Sequence, residues 1–236
     1  VLIWGGGGSA VVAAGVVGRA CQTGLIGASD EAVELWQQWQ TLPWPMPVIA
    51  AGVLAASPHN TQPWRFRLGD PEIDIELDER QALGVVDPVL RQMALGAGCA
   101  VENMVVAARG LGHDAEVAIA PDASRATLVA RLSLGAGGAA RPELLDGISR
   151  RHTHRWAYHR DRRLERPLVD ELVALARGSH AATRVDLFDR DDGRGRAFIA
   201  GIADATRALI ADDEFMRASD RWFRTTPHEE AQHRDG

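Results

Sequence analysis

Apolar and polar positions follow two different periods along this chain and divide it into short strands and longer helices. Residues 64–68 and 73–77 alternate around a Gly-Asp-Pro-Glu turn, which predicts a β-hairpin. Residues 115–120 and 126–134 repeat this pattern around a Pro-Asp-Ala-Ser turn. The remaining patterns predict a strand at 184–188 and helices at 31–40, 48–56, 89–111, 142–149, 168–176, 194–210 and 213–223. Because helices and strands occur in mixed order, the predicted fold class is α+β.

The first eighteen residues are uncharged and rich in glycine, alanine and valine, and they admit two interpretations. They are either the apolar part of an export signal or membrane anchor, or a strand followed by a G-x-G-x-x-A dinucleotide loop. The dinucleotide loop needs a second strand that ends in an acidic residue, and that pattern is missing. We therefore predict a signal or anchor in residues 1–27, then a helix and linker in residues 28–46. This predicts an exported or membrane-anchored protein, and otherwise a cytoplasmic one.

The composition is that of an ordinary globular protein, with 46% hydrophobic and 25% charged residues in a chain of 236. The net charge is −6 and both signs are mixed along the chain, so a basic nucleic-acid-binding face is not expected. Two cysteines, Cys21 and Cys99, do not imply a disulfide framework. Cys99 lies among small residues of a predicted helix, and we expect it to be buried.

A polar loop with the sequence SPHNTQPW joins the helix predicted at 48–56 to the strand at 64–68. It carries a hydroxyl, an imidazole and two amides between two prolines. Proline fixes its own φ and restricts the residue before it to extended geometry, so the loop is expected to be stiff. A stiff loop of this kind suits the binding of a polar ligand. An ordinary helix-to-strand turn has a similar composition.

A second polar segment follows the helix predicted at 142–149 and places Arg151, Thr153 and Arg155 in an R-x-T-x-R pattern. Two guanidinium groups that flank a hydroxyl can bind a dianion, because arginine offers bidentate donors that stay charged. A solvated basic patch without a ligand explains the same charges.

The histidines of the chain match no specific metal-site pattern. His152, His154 and His159 have no recognised ligand spacing, and Asp161 is the one carboxylate near them in sequence. The sequence HEEAQH at residues 228–233 is one residue too long for the i, i+4 histidine pair of zinc proteases. No G-x-S-x-G or Walker loop is present. The sequence therefore predicts no metal site and no catalytic nucleophile.

Together, the two polar segments resemble the nitroreductase superfamily of FMN oxidoreductases. Residues 57–66 are similar to its P-S-x-x-N-x-Q-P-W-x-F signature, although proline here follows the serine, and residues 151–155 are similar to its phosphate-binding R-x-S-x-R/K segment. Residues 87–112 are similar to its central helix. The branch that the chain resembles is the Acg-like one, in which a single chain contains two nitroreductase-like halves. The resemblance covers residues 47–223 and implies a central mixed or antiparallel sheet flanked by helices.

The order of the two segments bears on where FMN would bind. In ordinary nitroreductases the phosphate segment precedes the N-x-Q-P-W loop, and FMN lies between two subunits. The reversed order here implies a pseudo-dimer, with halves at residues 47–140 and 141–236, the second incomplete, and one FMN per chain. The residues that the resemblance assigns to FMN are Arg151, Thr153 and Arg155 at the phosphate and ribityl end, and Ser57, His59, Asn60 and Gln62 at the isoalloxazine side.

The resemblance implies that FMN carries the chemistry while the protein positions it. The expected activity is NAD(P)H-driven reduction of quinone- or nitroaromatic-type acceptors. Two other functions stay open, namely a protein that sequesters FMN with little turnover and a redox-inert scaffold attached to a membrane. Flavin content and bleaching by NAD(P)H distinguish the three.

Overall fold

A computed structural model of the chain describes residues 2–5, 9–13, 36–137, 144–151, 153, 159, 162–179, 186–189 and 191–223. The chain divides into two units, one comprising Val1–Thr153 with Arg217–Gly236 and the other His154–Met216. The described residues form helices and an antiparallel sheet. The α+β class predicted from the sequence is therefore confirmed, and the arrangement is compatible with a nitroreductase-like fold. The two pseudo-equivalent halves stay a prediction.

The described part of the first unit contains one antiparallel sheet of six strands. Their order across the sheet is β1 (Leu2–Gly5), β2 (Ser9–Ala13), β3 (Trp64–Leu68), β4 (Glu72–Leu77), β6 (Leu128–Ala136) and β5 (His113–Ile119). Each strand of the two predicted hairpins pairs with its neighbour, which confirms both hairpins. The pairing of β4 with β6 joins them into one sheet.

The helices of the first unit are α1 (Met46–Val53), α2 (Arg91–Gly110) and α3 (Leu145–Arg150). The second unit contains α4 (Arg166–Ser179) and α5 (Gly193–Ile210), and α6 (Asp213–Asp220) runs across the sequence boundary between the units. These helices confirm six of the seven predicted helical patterns, with shifts at their ends. Half of the pattern at 31–40 lies outside the described residues. The strand predicted at 184–188 is wrong for residues 186–188, which have no regular structure. A five-residue stretch of mixed polar and apolar residues does not fix a strand without a partner to pair with.

Helices α1 and α2 cover one face of the sheet and form the main core with it. The side chain of Asn103 on α2 donates to the carbonyl of Ala51 on α1 at 2.9 Å, which ties the two helices together. Gly52 permits their close approach, since a Cβ there would lie 2.9 Å from Met104 Cγ and 3.0 Å from Phe66 Cζ. Cys99 lies on the opposite, exposed side of α2, so its predicted burial is wrong. Small residues occur all round this helix, and they do not reveal which side is covered.

A second core cluster places Trp39 against the C-terminal end of α1 and against α3. Trp36–Gln38 is helical in the described residues, and Trp39–Thr41 forms a 3-10 turn. This segment belongs to the helix and linker predicted at 28–46, yet Trp39 is fully buried. The segment is therefore part of the packed body.

The face of the sheet opposite the helices carries a network of ion pairs. Asp74 and Glu76 alternate on β4 with the buried Ile73 and Ile75, as expected for a strand with one apolar face. Asp74 accepts hydrogen bonds from Arg131 Nε at 2.6 Å and from the guanidinium of Arg125 at 3.0 Å. Burial raises the pKa of Asp74, but the hydrogen bonds and charges of these arginines outweigh burial and hold its pKa below the ordinary value of 3.8.

Asp78, at the end of β4, is held in the same way. Its carboxylate accepts from Arg65 Nη2 at 2.7 Å and from Arg80 Nη2 at 2.6 Å. Burial raises the pKa of Asp78, and the hydrogen bonds from Arg80 and Arg65 lower it by more, so its pKa also lies below 3.8. On the outer face of the sheet, these carboxylates are thus paired with arginines of opposite charge.

The N-terminal residues that the structure describes are strands. Ser9–Ala13 pairs with β3 at the register Val11↔Arg67, and Leu2–Gly5 pairs with Ser9–Ala13. The two strands are antiparallel, which differs from the strand–helix–strand unit of a dinucleotide loop. Within the described residues, no helix combines the length and apolar character that a membrane crossing needs. The export signal or anchor at residues 1–27 stays a prediction.

Candidate functional site

The polar loop at residues 57–64 folds onto helix α2 through a single tight turn. Pro58–Asn60 forms a 3-10 turn that begins directly after the extended Ser57. Gly96 of α2 lies beneath it, and a Cβ on Gly96 would come within 3.2 Å of Pro58 Cδ. The small residue on the helix therefore lets the loop lie against a rigid backing.

The backbone of this loop is strained at three nearby positions. His59, Asn60 and Gln62 have φ values of 48°, 55° and 53°. Asparagine and histidine adopt the left-handed region more often than most residues, whereas glutamine does so rarely. Such conformations cost on the order of 1–3 kcal/mol each, and they cluster where a protein needs a particular local geometry.

Hydrogen bonds inside the loop fix Gln62. Its backbone N–H donates to Ser57 Oγ at 3.1 Å, and its side-chain Nε2 donates to Asn60 Oδ1 at 3.1 Å. Gln62 is 8% exposed. Its Oε1 is buried and has no hydrogen-bond partner among the described residues. A buried acceptor without a partner costs about 1–3 kcal/mol, so this oxygen is suited to accept a hydrogen bond from a ligand.

Aromatic side chains lie at the end of the loop and against His59. Trp64 is almost fully buried, and its indole N–H has no partner within the described part of the chain. The ring of Phe223 meets the ring of His59 edge-on, with 5.6 Å between their centroids. Trp222, the residue before Phe223, is buried, and its indole N–H also has no partner in the described residues. Sequence reasoning placed Trp222 and Phe223 in a helix and gave them no site role.

Arg151 links the second predicted segment to this loop. It directly follows α3, and its Nη2 donates to the carbonyl of Leu54 at 3.2 Å. Leu54 follows α1 and lies three residues before Ser57. The Cζ atom of Arg151 is 5.8 Å from the centre of the Trp36 ring. Its Nε is buried and unpaired among the described residues, none of which places a carboxylate within 4.0 Å of this guanidinium.

Two contacts position α3 and therefore Arg151. Leu145 fills the space above Gly110, where an added Cβ would lie 2.4 Å from Leu145 Cγ. The indole N–H of Trp39 donates to Ser149 Oγ at 2.8 Å. The position of Arg151 thus depends on two distant segments, since Gly110 packs against the start of α3 and Trp39 bonds near its end.

The structure brings together only part of the predicted site. Ser57, Asn60 and Gln62 interact directly, and Arg151 contacts the chain just before them. Thr153 is exposed. Arg155 lies outside the described residues, so its role stays a prediction.

The structure describes only one of the three histidines that were considered as metal ligands. His152 and His154 lie outside the described residues, and His159 is exposed. No group of three or more histidine, cysteine, aspartate or glutamate side chains in the described ranges is arranged to hold a metal ion.

Comparison with known proteins gives a partial match. No model of a protein family matches the chain. Two proteins of Mycobacterium tuberculosis, from strains CDC 1551 and H37Rv, are each named "Putative NAD(P)H nitroreductase" and are 30% identical to the chain over 182 residues. The match covers 74% of this chain and 49% of each relative, so the chain spans about half the length of these curated relatives. The similarity supports a relationship to the nitroreductase superfamily.

Proposed function

We propose that this chain is part of an FMN-dependent oxidoreductase of the nitroreductase superfamily, in its Acg-like branch. NAD(P)H is the proposed electron donor, and quinone- or nitroaromatic-type compounds are the proposed acceptors. One observation carries the proposal: a strained loop with a buried, unpaired amide oxygen at Gln62 is joined, through Leu54, to a guanidinium at Arg151 that has no carboxylate partner in the described residues. The names of the two relatives support NAD(P)H as the donor.

The unpaired groups of the site fit the chemistry of FMN. A phosphate group offers several anionic acceptors, and the Nε of Arg151 is a charged donor without a partner among the described residues. The hydroxyl of Thr153 and the guanidinium of Arg155 would complete the phosphate segment. An isoalloxazine ring carries an N–H group, from which Gln62 Oε1 could accept a hydrogen bond. Ser57, His59 and Asn60 would line the same ring.

The protein's part in the reaction would be to bind and orient. When bound, FMN supplies a carrier that takes up two electrons from one substrate and passes them to another. The charge of Arg151 would compensate that of the phosphate. The hydrogen bonds among Ser57, Asn60 and Gln62 keep the polar groups of the loop in place before any ligand arrives. Trp64, which is buried at the loop's end, would keep water from the inner side of the loop.

Reconstitution of the purified chain with FMN tests the proposed activity. We expect a yellow protein that bleaches under anaerobic NADH or NADPH and recovers its colour when a quinone is added. A yellow protein that no nicotinamide cofactor bleaches would instead indicate FMN sequestration. A protein that takes up no FMN would contradict both functions.

The phosphate assignment has its own test. The double variant Arg151→Ala, Arg155→Ala should weaken FMN binding by at least about tenfold, because a hydrogen bond to a charged group contributes roughly 1.5–3 kcal/mol. Arg91→Ala removes an exposed arginine at the first position of α2 and serves as the control. Unchanged FMN occupancy in the double variant would show that the phosphate lies elsewhere.

A further inference from the structure

We propose that Trp36 is a positioning residue of the anion site. Its ring holds the Arg151 guanidinium, and its indole N–H offers a second donor to the same phosphate monoester. This inference rests on the proposed function, because it adds a residue to the site that would bind the phosphate of FMN. Trp36 comes from the segment that the sequence pattern assigned to a helix and linker outside the body.

The surroundings of Arg151 carry the first step of the argument. Its guanidinium is fixed by the carbonyl of Leu54 at 3.2 Å and by the face of Trp36 at 5.8 Å. The second distance is within the range of about 6 Å for an attraction between a cation and an aromatic ring. Neither contact neutralises the charge, and no carboxylate of the described residues does so. The structure therefore orients a cation and leaves its charge available to an anion.

The second step concerns unpaired donors. Arg151 Nε and Trp36 Nε1 are both buried, and neither has a hydrogen-bond partner among the described residues. Buried indole N–H groups usually have a partner, and an unpaired buried donor costs about 1–3 kcal/mol. Two such donors on neighbouring side chains are explained by an acceptor-rich group that binds both. A phosphate monoester has three strong acceptor oxygens and a negative charge.

The third step is that Trp36 is held in place independently of Arg151. It packs against the second core cluster. Three residues further on, Trp39 is fully buried and donates to Ser149 Oγ at 2.8 Å, two residues before Arg151. The tryptophan segment and the end of α3 are thus joined at two points. Such a pre-positioned pair loses little conformational freedom when an anion binds.

Comparison of FMN with riboflavin isolates the phosphate contact, since riboflavin lacks only that group. Each flavin is titrated into the chain and into the variants Trp36→Phe and Trp36→Leu, with flavin fluorescence as the readout. Trp44→Leu is the matched control, because Trp44 is 43% exposed and stacks on His113. Circular dichroism checks that each variant is folded, and Trp36→Phe carries the test if Trp36→Leu is not.

We expect Trp36→Leu to weaken FMN binding by about tenfold or more and to change riboflavin binding by less than about twofold. Trp36→Phe should show an intermediate loss, because it keeps a ring for Arg151 and loses the N–H. Trp44→Leu should change neither titration. An equal loss of FMN and riboflavin in the Trp36 variants would overturn the inference, since it would show that Trp36 only supports the fold.

Thermal unfolding with inorganic phosphate separates this inference from the proposed function. If the unmodified chain binds neither flavin, the proposed function fails. The anion site still stands if phosphate raises the melting temperature of that chain and not of Trp36→Leu. If phosphate raises neither melting temperature, the anion site fails as well.

Discussion

At the scale of single residues, Gln62 combines a strained backbone with a polar side chain that hydrogen bonds hold in place. Its backbone is left-handed, its N–H is held by Ser57 Oγ, and its amide oxygen is buried without a partner in the described residues. The left-handed backbone and the unpaired amide oxygen each disfavour the folded chain unless another contact compensates, whereas the hydrogen bond to Ser57 stabilises it. A ligand that donates to the amide oxygen would remove one of these unfavourable terms, so binding and loop stability should be coupled.

Ser57→Ala tests the contribution of the hydroxyl that holds the loop. The change leaves the N–H of Gln62 without its acceptor, so the free energy of unfolding should fall by about 1–3 kcal/mol in urea titrations. Ser57→Thr keeps a hydroxyl and should retain most of that stability. The control is Ser124→Ala, at an exposed turn where the hydroxyl bonds Asp122, and we expect a change within about 0.5 kcal/mol. Equal effects at the two positions would show that Ser57 does not restrain the loop.

At the scale of elements, period and turn chemistry predict β3 to β6 and the helices that cover them, but not β1 and β2. The alternating residues 64–68 form β3 with those same bounds. Prolines 43, 45 and 47 indicate a linker next to Trp39, whereas the burial of Trp39 depends on contacts with α1 and α3. Local sequence does not encode which distant helix covers a tryptophan.

The candidate site was predicted by resemblance, and its internal contacts were not. In the structure Ser57, Asn60 and Gln62 are joined by hydrogen bonds, and Arg151 contacts Leu54, three residues before Ser57. Nothing in the spacing of the chain links Arg151 to Leu54, which lies 97 residues earlier. That contact depends on how α3 packs, and packing between elements has no short-range signal.

Gly110→Ala tests whether the packing of α3 sets the position of Arg151. The added Cβ would overlap the side chain of Leu145, so either this side chain or α3, which carries it, must move. We expect the free energy of unfolding to fall by about 1–3 kcal/mol and FMN binding to weaken. Adding Leu145→Ala should restore part of both, because it frees the space.

Gly98→Ala is the matched control on the same helix. A Cβ there meets nothing within 4 Å, so alanine should stabilise the chain by about 0.5–1 kcal/mol and leave FMN binding unchanged. If Gly110→Ala keeps full FMN affinity, the position of α3 does not control the site.

The ion pairs of β4 predict a loss of stability in acid. The pKa values of Asp74 and Asp78 are lower in the folded chain than the ordinary 3.8, because arginine hydrogen bonds outweigh burial. Their contribution is therefore present above the unfolded-state pKa and is lost as the pH falls from about 4 through the folded-state values. Asp78→Asn should flatten the decline in unfolding free energy between about pH 5 and pH 3. Glu116→Gln, on the exposed β5, is the control; an equally steep decline in Asp78→Asn would contradict the role of this pair.

At the scale of the whole molecule, the strands within residues 1–13 conflict with the export signal or anchor predicted there. The structure pairs Ser9–Ala13 with β3 as part of the sheet, whereas the sequence pattern predicts an export signal or anchor over residues 1–27. A cleaved signal would leave β3 at the edge of the sheet, where Arg65 and Arg67 would discourage pairing with other chains. N-terminal sequencing of protein purified from its own cells decides between these two possibilities.

The stoichiometry of FMN is the last prediction, and it concerns the chain as a whole. The SPHNTQPW loop at 57–64 occurs once in the chain, so we expect the chain to saturate at one FMN. At a free FMN concentration of about 100 times Kd, one site raises the free energy of unfolding by about 2.7 kcal/mol, and a second equal site would double that value. Urea unfolding at several FMN concentrations and titration to saturation measure the two quantities independently. Arg151→Ala should reduce the FMN-dependent stabilisation without changing the saturation value. Saturation at two equivalents would mean that a second site exists which does not use this loop and arginine. The order of the two segments would then not indicate how the chain binds FMN.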